Sequence, residues 1–348
     1  MEAQNKLLAR DFGQEALTNL CAELGARSFQ AKALWRWLHV KGIRSFDQAT
    51  DLPKKLREQL KDKLELAAVQ VVEESASRDG TIKYLLGLHD GERIEMVLIP
   101  EGVRNTLCVS TQVGCPVGCV FCASGLLGVR RNLTRHEILD QFLLARELLG
   151  DEELTNVVIM GMGEPMLNLD ELLPALDRIT DPCGFAFSPR RITVSASGYP
   201  DKIRRFSRSG KSYNLALSLH TASPEQRREL VPTAAHEPRE LVNAARDHFM
   251  ATGREPTIEM VLLRGRNDRV EDANALARLL KGLQCTVNII PWNRVEGTPV
   301  HLERPREDHV DQYRDALERH GLKVTLRRKR GSEKDAACGQ LRLRSLDA

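Results

Sequence analysis

The chain has 348 residues, 42% hydrophobic and 28% charged, with a formal charge of +3; this excludes extended disorder and allows one large α/β domain plus a smaller attachment, since a single core seldom grows beyond roughly 250 residues. No apolar run reaches the roughly 18 residues of a membrane span, and the opening MEAQNKLLARDF lacks the apolar stretch of a signal peptide, so a cytoplasmic protein with no membrane attachment is expected. The slight basicity neither demands nor excludes a nucleic-acid partner.

Residues 1–68 are expected to form a helical module. Residues 18–24 make a short amphipathic turn, residues 30–40 carry Leu34, Trp37 and Leu38 at helical spacing, and Pro53 suits the first turn of a helix over 53–66. Lys32, Arg36, Lys41, Arg44, Lys54, Lys55 and Arg57 cluster near Trp35 and Trp37, a mixture suited to RNA backbone contact and base stacking. The same residues also fit a plainer arrangement, with Trp37 in a core and the charges on a solvated face.

Over 69–100 the pattern changes to β-branched runs interrupted by Asp79-Gly80 and Asp90-Gly91, strong hairpin signals that predict a small antiparallel meander. Strands and helices then alternate across a core assigned to 101–331. Strands are expected at 105–110, 155–160, 191–196, 214–218, 257–263, 286–290 and 323–326, and helices at 134–149, 169–179 and 306–320 among others. Such alternation predicts a parallel sheet with right-handed crossovers, open or curled towards a barrel, whose site lies at the C-terminal ends of the strands. Residues 332–348 read as a basic tail.

Eight cysteines in a chain expected to stay in a reducing compartment point to metal or redox chemistry more than to structural disulfides. Cys115, Cys119 and Cys122 follow the first core strand at Cys-x3-Cys-x2-Cys spacing. Three thiolates leave one iron of a four-iron cluster open to another ligand, as catalysis requires. A zinc knuckle is the alternative, for which only the more distant His136 offers a fourth ligand. Cys21, Cys183 and Cys285 match no motif and read as buried small hydrophobes.

This spacing, with Phe121 before the last cysteine, resembles the radical S-adenosylmethionine (SAM) superfamily, whose open iron chelates SAM. The polar groups at later strand ends are where a ligand is expected: Gly163 and Glu164 in VVIMGMGEP, Ser195 in RITVSASG, Ser218 and His220 in NLALSLH, and Asn293 after NIIPW. Taken singly, each also fits a steric glycine, a helix cap or a structural histidine.

Longer strings narrow the resemblance. CVSTQVGCPVGCVFCASG, RNLTRHEILDQ, GMGEPMLN, SLH, IIPWN and KDAACGQL, with FQAKALWRWLHVKGIRSFDQATDLPKKLRE near the start, are together similar to the RlmN/Cfr family of RNA adenine methyltransferases across nearly the whole chain. The resemblance implies a partial (β/α)6 radical SAM barrel with one 4Fe-4S cluster on Cys115, Cys119 and Cys122. It implies SAM contacts from Gly163, Glu164, Ser195, Ser218, Leu219, His220 and Asn293, and two SAM molecules per turnover.

It further implies that Cys338 carries the methyl group as S-methylcysteine. Cys108 then resolves the RNA adduct with a transient Cys108–Cys338 disulfide, and Glu95 acts as proton acceptor, although the strand pattern alone would leave Glu95 solvated. The implied reaction is C2 methylation of an adenosine in the peptidyl-transferase centre of 23S rRNA, with the adenosine 3′ of the anticodon in tRNA as a second substrate. The implied reductant is a flavodoxin or ferredoxin, and a monomer is expected. Pro165 favours the RlmN branch, while CASG and SASG depart from the commoner CATG and STVG. The alternatives are C8 methylation as in the Cfr branch, a paralogue acting on another RNA, and a non-catalytic iron–sulfur RNA-binding protein.

Overall fold

In the computed structural model, residues 7–234, 236–327 and 339–341 are described; Cys338, Arg328, Lys329 and Arg330 lie outside them. One ten-stranded sheet runs through the molecule in strict chain order. Its strands are β1 (Val69–Ala76), β2 (Ile82–Leu88), β3 (Arg93–Glu101), β4 (Arg104–Cys108), β5 (Asn156–Ile159), β6 (Ile192–Ala196), β7 (Asn214–Ser218), β8 (Thr257–Leu262), β9 (Thr286–Pro291) and β10 (Lys323–Leu326). The first four pair antiparallel and β4 through β10 pair parallel.

The expected meander is therefore continuous with the barrel sheet, because β3 pairs directly with β4. The parallel strands are joined by α4 (Arg135–Leu149), α5 (Leu169–Thr180), α6 (Pro200–Ser207), α7 (Pro238–Thr252), α8 (Val270–Leu280) and α9 (Glu307–Arg319). This is the partial (β/α)6 barrel, extended by a final strand.

Strand alternation explains which side chains meet the helices and which face inward. On β6 to β8, Val194, Leu215, Leu217, Ile258 and Met260 enter the large core, whereas Ser195, Ser218, Glu259 and Val261 face the cavity. Crossover α4 has ten consecutive buried residues, His136 to Ala145, because it is covered on more than one side.

The N-terminal module consists of α1 (Gln14–Glu23), α2 (Ser28–Arg36) and α3 (Lys54–Lys63) around its own core of Leu17, Cys21, Leu34, Leu38, Leu56 and Leu60. It is not wholly helical. The expected 30–40 helix passes into a π turn at Trp37–Lys41. The 53–66 helix stops at Lys63, and Leu64–Glu65 pairs in parallel with Leu7–Leu8. Trp35 and Trp37 are partly buried against this core, and Trp37 Nε1 donates to Asp51 at 2.5 Å, so packing accounts for both rings.

Arg44 fastens the module to the barrel. Its guanidinium donates to Asp140 on α4 at 3.1 Å and to Glu147 at 2.9 Å. Asp140, whose side chain is 1% exposed, also accepts from the amides of Ala68 and Val69 at 2.7 and 3.0 Å. Arg10 approaches the same carboxylate at 3.9 Å. Arg44 thus serves attachment, which removes it from the expected RNA-facing set. No helix among the described residues is long and apolar enough to cross a membrane.

Breaking a buried, hydrogen-bonded ion pair strands its partners. Asp140→Ala is expected to lower stability by about 3–5 kcal/mol, read by chemical denaturation. His39 gives a pH signature: it is buried, its ring nitrogens have no hydrogen-bond partner among the described residues, and burial, then Arg178 and Arg10, push its pKa down to about 3. The unfolded chain protonates His39 near its usual pKa of about 6.5 while the folded chain resists it, so stability falls as pH drops from there towards 3. His39→Phe is expected to flatten that acid slope by up to roughly 1.4 kcal/mol per pH unit, measured in urea titrations from neutral to acidic pH.

Candidate active site

The cysteine loop is irregular backbone held on several sides. Before it, Ser110 is fixed by Gln141, whose amide accepts from Ser110 N at 2.9 Å and donates to Ser110 O at 3.0 Å. A hairpin of Gln112–Gly114 with Val129–Asn132, too short to be legible as a period-2 pattern, frames the loop on both flanks. Cys115 N donates to Gly128 O at 2.7 Å. From the far side, Thr233 Oγ1 donates to the Pro116 and Val117 carbonyls at 2.8 Å, and Trp292 Nε1 donates to Phe121 O at 2.9 Å.

The loop after β5 packs backbone to backbone against this segment. A Cβ at Gly161 would lie 2.7 Å from Val109 O, and one at Gly163 2.8 Å from Gln112 N, where φ is also +106°. These glycines are required by the backbone that leads into the cysteine loop, a reason for their presence that is independent of any ligand.

Cys115, Cys119 and Cys122 line one cavity at the C-terminal ends of the strands, with Gly163, Ser195, Ser218, His220 and Asn293. Glu164 and Leu219 are not among the lining residues. Glu164 is buried behind the wall, where its two carboxylate oxygens accept from Met166 N at 3.0 Å and Ser197 N at 2.8 Å. Leu219 belongs to the apolar core. Ser195 Oγ donates to Ile159 O at 2.8 Å. His220 Nδ1 accepts from Val261 N at 3.2 Å, which leaves any ring proton on Nε2, and burial holds its pKa down at about 3.

Glu95 is buried, contrary to the solvated position its strand pattern implied, and pairs with Lys83 Nζ at 2.9 Å. Its carbonyl accepts from Ser110 Oγ at 2.6 Å. Cys108 is buried on β4, opposite Val97 of β3. Cys21 and Cys285 are buried as expected, but Cys183 is exposed in the turn after α5, its N–H donating to Asp181.

Sequence reasoning missed Arg227. It looks like a solvated helix arginine beside the exposed Arg228, yet it is fully buried, donating to the carbonyls of Ser218, Leu219, Ser197 and Ala234. Seven helical residues carry too little periodicity to announce this. Glu259 was also missed, although a single charge within TIEMVL was a usable signal. It lines the cavity, accepts from Asn288 Nδ2 at 2.7 Å, and has its pKa raised by burial.

The donor set fits an iron–sulfur cluster. Burial pushes the Cys115 thiol up to about 12 and the Cys119 thiol well above its ordinary value, with the neighbouring sulfurs acting in the same direction. Ionising them together calls for positive charge, which Arg227 supplies in part and a cationic cluster would complete. The three sulfurs line one cavity, as a four-iron cluster would require in which three irons each take one thiolate and the fourth stays open.

An open parallel β/α barrel with this loop at its catalytic edge defines an enzyme of the radical SAM class, and residues 109–279 match the family model described as the Radical SAM superfamily. Residues 8–66 match the model of the ribosomal RNA large subunit methyltransferase N-terminal domain. The chain is 44% identical over 334 residues, 95% of its length and 90% of the relative's, to a Symbiobacterium thermophilum protein named "Probable dual-specificity RNA methyltransferase RlmN". It is 43% identical over 334 residues to the dual-specificity RNA methyltransferase RlmN of Syntrophobacter fumaroxidans, covering 95% and 97% of the two chains. The crystal structure of a radical SAM methyltransferase from Sphaerobacter thermophilus matches with a TM-score of 0.90 at 39% identity, over 97% of this chain and 99% of that one. The chain belongs to the RlmN family of radical SAM methyltransferases.

Gly163→Ala places a methyl group against fixed backbone at a left-handed φ. It is expected to lower stability by about 1–3 kcal/mol in chemical denaturation.

Proposed function

We propose that this protein methylates C2 of an adenosine in RNA: the peptidyl-transferase adenosine of 23S rRNA and, as a second substrate, the adenosine 3′ of the anticodon in tRNA. The observation that carries the reading is a single cavity lined both by the three loop cysteines and by Gly339 and Leu341, the residues just after Cys338 in the chain. The dual-specificity RNA methyltransferase names of the relatives support the choice of substrate.

Cys115, Cys119 and Cys122 would hold the 4Fe-4S cluster. Gly163, Ser195, Ser218, His220 and Asn293 would line the SAM site, with Glu164 and Leu219 shaping its wall from behind. The cluster and SAM together supply a carbon-centred radical that can remove a hydrogen atom from an unactivated methyl group.

Cys338 takes a methyl group on its sulfur, losing the thiol proton, so the new carbon reaches the adenine from the protein; one SAM is consumed in loading it and a second in activating it. An sp² adenine carbon is a poor nucleophile, which is why a thiolate accepts the methyl group first. Glu95, paired with half-buried Lys83, accepts the proton lost from the adenine carbon. Cys108 attacks the sulfur of Cys338: the S–S bond forms as the bond from that sulfur to the adenine-bound carbon breaks, the electron pair stays on the carbon, and its protonation leaves a methyl group on the RNA. The resulting disulfide must be reduced before the next turnover.

Residues 1–68 act as an RNA-binding module through Lys32, Arg36, Lys41, Lys54 and Lys55, which are exposed. Residues 69–100 serve as the meander, 101–331 as the catalytic core and 332–348 as the tail. The protein works in the cytoplasm as a monomer with a flavodoxin or ferredoxin as one-electron donor.

Mass spectrometry of rRNA and tRNA nucleosides from strains with and without the gene tests this. Loss of 2-methyladenosine from both RNAs is expected. Loss of 8-methyladenosine instead would assign the Cfr-type reaction, and no change in either would overturn the substrate assignment.

A further inference from the structure

The described part of the tail is short, but it is tied down at both ends of its three residues. Gly339 O accepts from Ala123 N at 2.7 Å. Ser124 Oγ donates to Leu341 O at 2.9 Å, and Gln340 Nε2 donates to Arg294 O at 3.0 Å. Leu341 is 5% exposed and joins the main core, and Gln340 is 6% exposed.

Ala123 and Ser124 open the short helix Ala123–Leu126, for which Cys122 is the N-cap. The first N–H groups of a helix have no partner within it, and here the Ala123 N–H finds one in the tail. Gly339 adopts φ +81°, which lets the chain turn onto the helix at a place where a side chain would be strained. The link from Cys122 to Cys338 is then one residue on each side of a single hydrogen bond: Cys122, Ala123 N–H, Gly339 C=O, Cys338.

We propose that Ser124, with Gln340, latches residues 339–341 to the cluster-bearing turn, and that this anchoring speeds methyl loading of the thiol one residue before Gly339. Ser124 is a positioning residue: it acts on the reaction through Leu341 and Gly339 and touches neither methyl group nor RNA. Without the latch, a glycine-containing tail must find its productive placement by search, and the entropy of that search appears as a slower transfer. The step affected first is loading: the sulfonium C–S bond of SAM breaks, the Cys338 S–CH3 bond forms, the thiol proton goes to solvent, and S-adenosylhomocysteine leaves. This inference rests on the proposed role of Cys338.

The test uses the full-length, cluster-reconstituted enzyme and SAM with an isotopically labelled methyl group, following label on Cys338 by peptide mass spectrometry in a single turnover. Ser124→Ala is expected to keep the iron and sulfide content and the SAM affinity of the wild type while slowing loading about tenfold, and Ser124→Thr, which keeps the hydroxyl, is expected to restore the rate. Loading at the wild-type rate in Ser124→Ala overturns the latch. If Ser124→Ala loses the cluster, Gln340→Ala decides, since its contact lies on the Arg294 loop: slowed loading supports the latch and an unchanged rate overturns it. Cys338→Ala separates the two levels of the argument. If it still methylates RNA, the role of Cys338 fails; if it is inactive while both latch variants load normally, only the latch fails.

Discussion

A buried guanidinium holds the catalytic edge together. Arg227 draws the carbonyls at the ends of β6 and β7 and that of Ala234 onto one planar group. Four carbonyls from three segments would otherwise point their lone pairs into a space without water, which is costly in a low-dielectric interior. The same charge offsets Glu164 and the Cys119 thiol. Because Thr233, close by in the chain, donates to the cysteine loop, the arginine stabilises by proxy the backbone that presents the three sulfurs.

Around that centre, charge is buried where strand ends or modules must be joined. Asp140 joins the N-terminal module to α4 and Glu164 joins the β5 loop to the β6 loop, each by accepting backbone amides as well as facing a cation. A carboxylate spanning two amides fixes direction as well as distance, which an apolar contact does not. The result is an open barrel whose non-repetitive loops are held by side-chain hydrogen bonds from several elements. The strands below them need only alternate apolar residues towards the helices and polar ones towards the cavity.

The placement of Gly339 and Leu341 in the cavity wall gives the tail a role in the site's shape. Arg327, also in the wall, brings a cation into that space.

The sequence alone determined the local and strictly spaced features. The cysteine trio is covalently local, the Asp-Gly turns require positive φ, and the strands have a period that burial on a parallel sheet enforces, so all three were legible without a fold. Tertiary structure decided whatever depends on residues far apart in the chain. Arg44 looked like an RNA contact until Asp140, 96 positions away, claimed it. Glu95 looked solvated until Lys83 and the neighbouring strands covered it, Cys183 looked buried until the turn after α5 exposed it, and Arg227 looked like a surface charge until carbonyls of three segments surrounded it. The reason is that side-chain chemistry is written in the sequence, whereas desolvation and partner choice are properties of the space that folding encloses.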